Sequence, residues 1–222
     1  MVPLVRRFKV SFQVIPVREW SKEALGNGLD PLCLPSIDGE LEADLRVSSK
    51  LKGTFKTAHS GRVSSPTDGI PPYFHNVCVK QHYTPKSSGA ISRLRGNERY
   101  RMLLQEVNCL DWAAILLDLT YQFINGAVTT HGEPNGGIPE LRFVRVMLAK
   151  DTEDDKHFLV EEWIDGNFVK YINNGRADSC VPHDAPKAVH RIAEFLSFAQ
   201  HVQYRETKGL AYTSDYQGLC YD

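Results

Sequence analysis

Apolar and polar residues alternate near the start of the chain: Phe8, Val10, Phe12 and Val14 share one face, with Lys9, Ser11 and Gln13 between them. A period of two predicts a half-buried strand, and Pro16 ends it because proline has no N–H for a ladder. From 21 to 48 the breakers Gly26, Gly28, Pro31, Pro35 and Gly39 interrupt any period, and the segment reads mostly as loop. Alternation returns over 49–63, where Leu51, Gly53 and Phe55 interleave with Lys52, Thr54 and Lys56, and predicts a second strand pair. A cluster of Ser, Pro, Asp and Gly over 64–72 reads as a hairpin connection. The strand predicted next, 75–83, places Val77 and Val79 on one face and Lys80 on the other.

Beyond residue 97 the period becomes that of a helix. Leu103, Val107, Leu110, Ala114, Leu117 and Tyr121 recur at steps of three and four up to Ile124, with Asn125-Gly126 as the expected stop. A polar loop over 131–137 follows, then strands over 141–148 and 158–164 joined by an acidic turn at 151–155. A second helix over 185–204 and a last strand over 210–213 complete the pattern. Strands dominate the first 83 residues and mix with helices afterwards. The expected fold class is therefore α+β with two lobes, and a cleft between lobes is a common place for a ligand.

Composition narrows the function classes. The 222 residues suit one large domain or two small lobes, and 42% apolar content is enough for an ordinary core. Lys and Arg number 26 against 27 Asp and Glu, a formal net charge of -1, so bulk attraction to nucleic acid or anionic membrane is not expected. No run approaches 18 consecutive apolar residues, and Arg6, Arg7 and Lys9 break up any signal-peptide core. Five cysteines without a CxxC spacing, and no N-x-[ST] sequon, predict a reduced, cytoplasmic (intracellular) setting.

Several positions carry candidate chemistry. Lys80 ends the apolar run Val77-Cys78-Val79, and a lysine projected from a strand neutralises phosphate oxygens as a fixed charge. Taken alone, the same pattern describes a lysine on a solvated strand face. Gly53-Thr54-Phe55-Lys56 would let backbone N–H groups approach an anion beside a cation, although a strand glycine also marks a bulge. No GxGxxG and no GxxxxGK[ST] is present, so neither a dinucleotide fold nor a P-loop is supported. Glu161-Glu162-Trp163-Ile164-Asp165-Gly166 reads either as a strand-to-loop crossing between lobes or as a hairpin with Gly166 in its turn. Asp215 and Gln217 offer two oxygens to a hard cation such as Mg²⁺, or form an ordinary polar turn. His201 on the second helix lacks local Cys or His partners for a four-ligand zinc site.

In order along the chain, four segments together resemble the alpha-type (atypical) protein kinases. They are Gly53-Thr54-Phe55-Lys56-Thr57-Ala58-His59, Val77-Cys78-Val79-Lys80, the stretch from Phe158 to Tyr171 that contains Glu161-Glu162-Trp163-Ile164-Asp165-Gly166 and ends Val169-Lys170-Tyr171, and Ser214-Asp215-Tyr216-Gln217-Gly218. The resemblance spans roughly 49–222, and the wording from Phe195 to Tyr204 is similar to basidiomycete-type fungal members.

It implies a two-lobed alpha-kinase-like fold: an N-terminal strand and loop over 1–48, a strand-rich N-lobe over 49–160, and a hinge with a mixed, partial C-lobe over 161–222. It further implies an ATP-dependent serine/threonine protein kinase that uses Mg²⁺. Lys80 would contact the ATP phosphates, and Gly53 and Lys56 would form the phosphate-side hairpin, with Lys56 where the family usually has Arg. Glu161 and Ile164 would meet adenine, largely through backbone groups, while Asp215 and Gln217 would hold Mg²⁺ and orient the transferred group. Family members continue with a Thr-Asp-Pro-Gln segment, a glycine-rich loop and a His/Cys zinc cluster. Here the chain stops at Gly218-Leu219-Cys220-Tyr221-Asp222, and of the zinc ligands His201 alone has a counterpart. The expectation is thus a C-terminally truncated member without zinc; the alternative is a pseudokinase that binds nucleotide or partner proteins without catalysis.

Overall fold

The computed structural model describes residues 5–30, 33–46, 55–65, 70, 74–85, 91–94, 96–175 and 178–220. Its elements run β1 (Arg6–Val14), α1 (Lys22–Gly26), β2 (Ser36–Ala43), β3 (Lys56–Ser64), β4 (Asn76–Pro85), β5 (Ile91–Arg93), α2 (Gly96–His131), β6 (Val146–Asp151), β7 (His157–Glu162), β8 (Val169–Lys170), α3 (Lys187–Glu206) and β9 (Gln217–Gly218). The α+β class expected from the sequence is the class observed. The chain divides into two units: 1–16, 29–109 and 144–164 form the first, and 17–28, 110–143 and 165–222 the second. The units interleave along the chain because strands remote in sequence pair in space.

In the first unit the strands lie in the order β3-β2-β1-β6-β7-β4-β5, and β3 also pairs with β4. That extra pairing closes β1, β2, β3, β4, β7 and β6 into a six-stranded antiparallel barrel, with β5 appended to β4. Closure satisfies the ladder groups that an open sheet would leave at its edges. The alternation read from β1 points Phe8, Val10 and Phe12 inward, where they meet Leu41, Val63, Val77, Val79, Met147, Phe158 and Val160. Gly61 pairs with Ala43 on one side and Val77 on the other. A Cβ there would stand 2.7 Å from the Glu42 carbonyl, so the residue must be small for β2 and β3 to close up.

In the second unit a separate core joins Leu117 and Ile124 of α2, Val189, Phe195 and Leu196 of α3, and Tyr171, Ile172 and Tyr216 beside the β8–β9 ladder. The amide of Trp20 donates to Asp118, and the Arg18 guanidinium pairs with the buried Asp111 carboxylate, tying the segment after β1 to α2.

Four expectations are corrected. The stretch 21–48 contains a strand and a short helix, because β2 fills the place between β1 and β3 and buries Leu41 and Ala43 despite its glycine. The Asn125-Gly126 stop does not act: α2 runs on to His131, where Gly132, at φ +80°, donates to the Val128 carbonyl and closes the last turn. The strand expected from 141 starts only at Val146, since the Leu141 amide donates to the Tyr121 hydroxyl at 2.7 Å instead of to a neighbouring strand, and β6 runs on through Asp151.

The strand expected over 210–213 is absent. Its polar groups are taken by α3: the Thr213 amide donates to Gln203 Oε1 (2.8 Å), its carbonyl accepts from Gln200, and the Ala211 amide donates to the Thr207 hydroxyl (3.1 Å). The short strand lies a few residues later as β9, against β8. Of the strand pair expected over 49–63, β3 is the described part, and 49–54 lie outside the described residues.

Candidate active site

In the first unit the expected residues gather on the outer wall of the barrel. Register places Lys56 opposite His82, Ala58 opposite Lys80, and Cys78 opposite Glu161, so all of them project from one face. The Lys80 ammonium donates to Glu161 Oε1 at 2.7 Å, and the two side chains are 25% and 9% exposed. Burial alone would drive the Lys80 pKa down, but the charge and hydrogen bond of Glu161 outweigh it, and the net value lies above that of an ordinary lysine. The ammonium stays protonated, and Lys80 is a fixed cation. The same burial, with Glu161 close by, pushes the Cys78 thiol up, away from the thiolate form that reacts.

A second pair lies beside the first. Lys56 donates to Glu106 Oε1, and His82 Nε2 stands 3.1 Å from the other Glu106 oxygen. Burial opposes ionisation of Glu106, yet His82 and Lys56 together bring its carboxyl down to about 2. Glu106 rides on the first turns of α2, between Leu103 and Val107, whose side chains are buried.

The second unit carries the remaining pair. Asp215, Tyr216 and Gln217 alternate exposed, buried, exposed, so the carboxylate and the amide share a solvent side while Tyr216 anchors the segment in the core. Tyr216 stacks on Phe143 with ring centroids 6.2 Å apart, and its carbonyl accepts the Tyr171 amide at 3.0 Å. Asp215 sits at φ +63°, a left-handed conformation uncommon outside glycine, and Lys170 from β8 donates to its carboxylate. Strain at a candidate chemical group, over-determined by its surroundings, is a pattern associated with function. Two hard oxygen donors at one exposed site fit Mg²⁺, which takes one or two protein carboxylates and completes its shell with water and phosphate.

Thus Lys56, Lys80 and Glu161 come together in the first unit, and Asp215 and Gln217 in the second. Ile164 follows Trp163, whose amide donates to the Asn76 carbonyl at 3.0 Å, and is half-buried. Gly53 lies outside the described residues. The Glu161 carboxylate has a task the sequence reading did not foresee, as counter-ion to Lys80. Glu106 and His82 were missed altogether, and Lys170, quoted only within Val169-Lys170-Tyr171, was given no role. For Glu106 a signal was present: an acid at the margin of an apolar helical stripe must find a cation when the helix packs. His201 is exposed on α3, and among the described residues no group of three or more His, Cys, Asp or Glu is placed to hold a metal ion. No helix among them is long and apolar enough to cross a membrane.

The model of the alpha-kinase family matches residues 52–221, well over half of the chain. Among solved structures, an alpha kinase from Entamoeba histolytica superposes with a TM-score of 0.57 at 17% identity, covering 100% of this chain and 75% of that one. The alpha-kinase domain of myosin heavy chain kinase A in complex with ADP gives 0.50 at 12% identity, covering 96% and 78%. The C-terminally truncated alpha-kinase domain of myosin heavy chain kinase gives 0.51 at 11%, covering 97% and 80%. At such identities these likenesses show the fold alone. No curated protein matches the chain in sequence.

Proposed function

This chain belongs to the alpha-kinase family, and from that membership we propose that it is an ATP-dependent serine/threonine protein kinase that transfers the γ-phosphoryl group of ATP to a protein hydroxyl. The observation that carries the reading is the Lys80–Glu161 pair: a cation held charged at the barrel wall by a carboxylate on β7, three residues before Ile164. Lys80 neutralises phosphate oxygens, and Lys56, with Gly53, serves the phosphate side. Glu161 and Ile164 border adenine, and the Glu161 carboxylate also keeps Lys80 in place. Asp215 and Gln217 hold the metal, and Lys170 restrains the Asp215 carboxylate until then.

Bound Mg²⁺ supplies charge neutralisation of the phosphate oxygens. In the transfer the hydroxyl oxygen bonds to the γ-phosphorus, the bond to the β–γ bridging oxygen breaks, and the hydroxyl proton is lost as ADP leaves. Positioning and charge supply most of what this reaction asks of a protein. The reading places the chain in the cytoplasm, with ATP and a protein substrate as partners.

The test is incorporation of γ-labelled phosphate into a basic protein with magnesium and ATP. Lys80→Ala should lower it about a hundredfold or more, as loss of a transition-state charge contact does; equal incorporation by the two proteins would reject the proposal. A second reading, a pseudokinase that binds nucleotide or partner proteins without turnover, draws on the ion pair that occupies the Asp215 carboxylate. It expects ATP to raise the melting temperature while no phosphate is transferred.

A further inference from the structure

On the outer wall of the barrel each candidate phosphate-binding cation already has an anion. Lys80 is paired with Glu161 and Lys56 with Glu106, so the two pairs carry no net charge between them. A triphosphate brings about four negative charges, and a neutral wall gives it little electrostatic attraction unless a carboxylate gives up its lysine. The pairs differ in how easily that happens. Lys80 and Glu161 are 25% and 9% exposed, and both are fixed on paired strands. Lys56 and Glu106 are 34% and 15% exposed, Lys56 lies at the first residue of β3, and Glu106 comes from a helix. Glu106 also has a second polar partner available, His82, whose Nε2 stands 3.1 Å from its other oxygen, so release of Lys56 does not leave the carboxylate alone. Its depressed pKa means the carboxylate is ionised throughout the neutral range and competes as a full charge.

We propose that Glu106 is an anionic placeholder: it occupies the Lys56 ammonium when no nucleotide is bound, and the nucleotide phosphates displace it onto His82. The inference rests on the kinase reading, and adds to it a residue that sets the selection between nucleotides and nucleosides. Lys56 is held folded against the wall in the free protein and turns outward only for a polyanion. An adenosine, which has no phosphate, leaves the Lys56–Glu106 pair intact.

The test compares the affinity of magnesium with AMPPCP, a non-hydrolysable ATP analogue, against that of adenosine by calorimetry on the full chain. Glu106→Gln keeps the shape and removes the competing charge. It should tighten AMPPCP binding about two- to fivefold, the size expected of a partly exposed ion pair, and leave adenosine unchanged. In a Lys56→Met background the same substitution should change neither. Should Glu106→Gln fail to fold, Glu106→Asp, which shortens the reach by one methylene, should shift AMPPCP in the same direction by a smaller factor. Unchanged or weaker AMPPCP binding in these variants, or a gain that persists without Lys56, overturns the placeholder while the kinase reading stands on adenosine binding. Failure of the unaltered protein to bind either compound overturns both.

Discussion

His59 shows how a single side chain ties stability to acidity. It is buried at the polar end of the barrel interior, with Nδ1 2.9 Å from the Asp44 carbonyl and Nε2 2.8 Å from the Thr57 hydroxyl. Burial lowers its pKa below the usual 6.5, and the charge of Arg93, which also donates to Thr57, pushes in the same direction. A group whose folded pKa is depressed binds fewer protons in the folded state. Stability is therefore full above 6.5, declines as the pH falls below it, and is lost once the lowered value is passed. The urea midpoint should fall between pH 7.5 and 5.5, and His59→Gln should flatten that slope; an equally steep slope in the variant would show that His59 is not its source. Some slope should persist, because burial lowers His157 as well. Among the site cations, Lys80 acts in the opposite sense. Lys80, with its pKa raised, contributes stability that is complete below 10.5 and lost only as the pH rises through its higher folded value.

At the scale of the element, α2 continues through a glycine and ends at another, and the two separate backbone entropy from backbone geometry. Gly126 lies in the exposed last turns with nothing within 4 Å of an added methyl group, and the Thr129 and Thr130 hydroxyls bond back to the carbonyls of Asn125 and Gly126. Gly126→Ala should raise stability by about 0.5–1 kcal/mol through a less flexible unfolded chain. Gly132→Ala, at a φ of +80°, should lower it by about 1 kcal/mol. Thermal melts of the pair should move apart; melts moving the same way would mean that the end of α2 is not placed as described. The same balance explains segment 211–213. The Ala211 and Thr213 amides and the Thr213 carbonyl find side chains of α3 and of its capping residue Thr207 in place of a strand partner, and an alternating pattern at 210–213 carries no record of Gln200, Gln203 and Thr207 waiting there.

At the scale of the whole molecule, the barrel of the first unit is the scaffold for both cation pairs, and it depends on β3 lying between β2 and β4. Gly61 is where β3 pairs with both strands, with the Glu42 carbonyl and the side chains of Val79 and Val77 within 3.3 Å of any added Cβ. Gly61→Val should cost about 2–3 kcal/mol by overpacking and part β2 from β3. Chemical denaturation would register the loss, and unchanged stability would argue that the barrel does not close here. The barrel also accounts for much of what the one-dimensional pattern could not show. Segment 21–48 looked like loop because β2 holds Asp38, Gly39 and Glu40, residues that suit a strand only when both neighbours are already in place.

The periods of two in β1 and β4, and of three to four in α2 and α3, arise from bond geometry, and they were legible without coordinates. So were the class of the fold and the residue types that suit phosphate and a hard cation, Lys80 and Asp215 among them. Local pattern records which face a residue is on, but it holds no information about what lies opposite. Pairing across the sheet chose Glu161 as the partner of Lys80, helix docking chose Glu106 for Lys56 and His82, and the β8–β9 ladder brought Lys170 to Asp215. Each of those contacts joins residues at least 24 positions apart, and only the folded chain brings such groups within hydrogen-bonding distance.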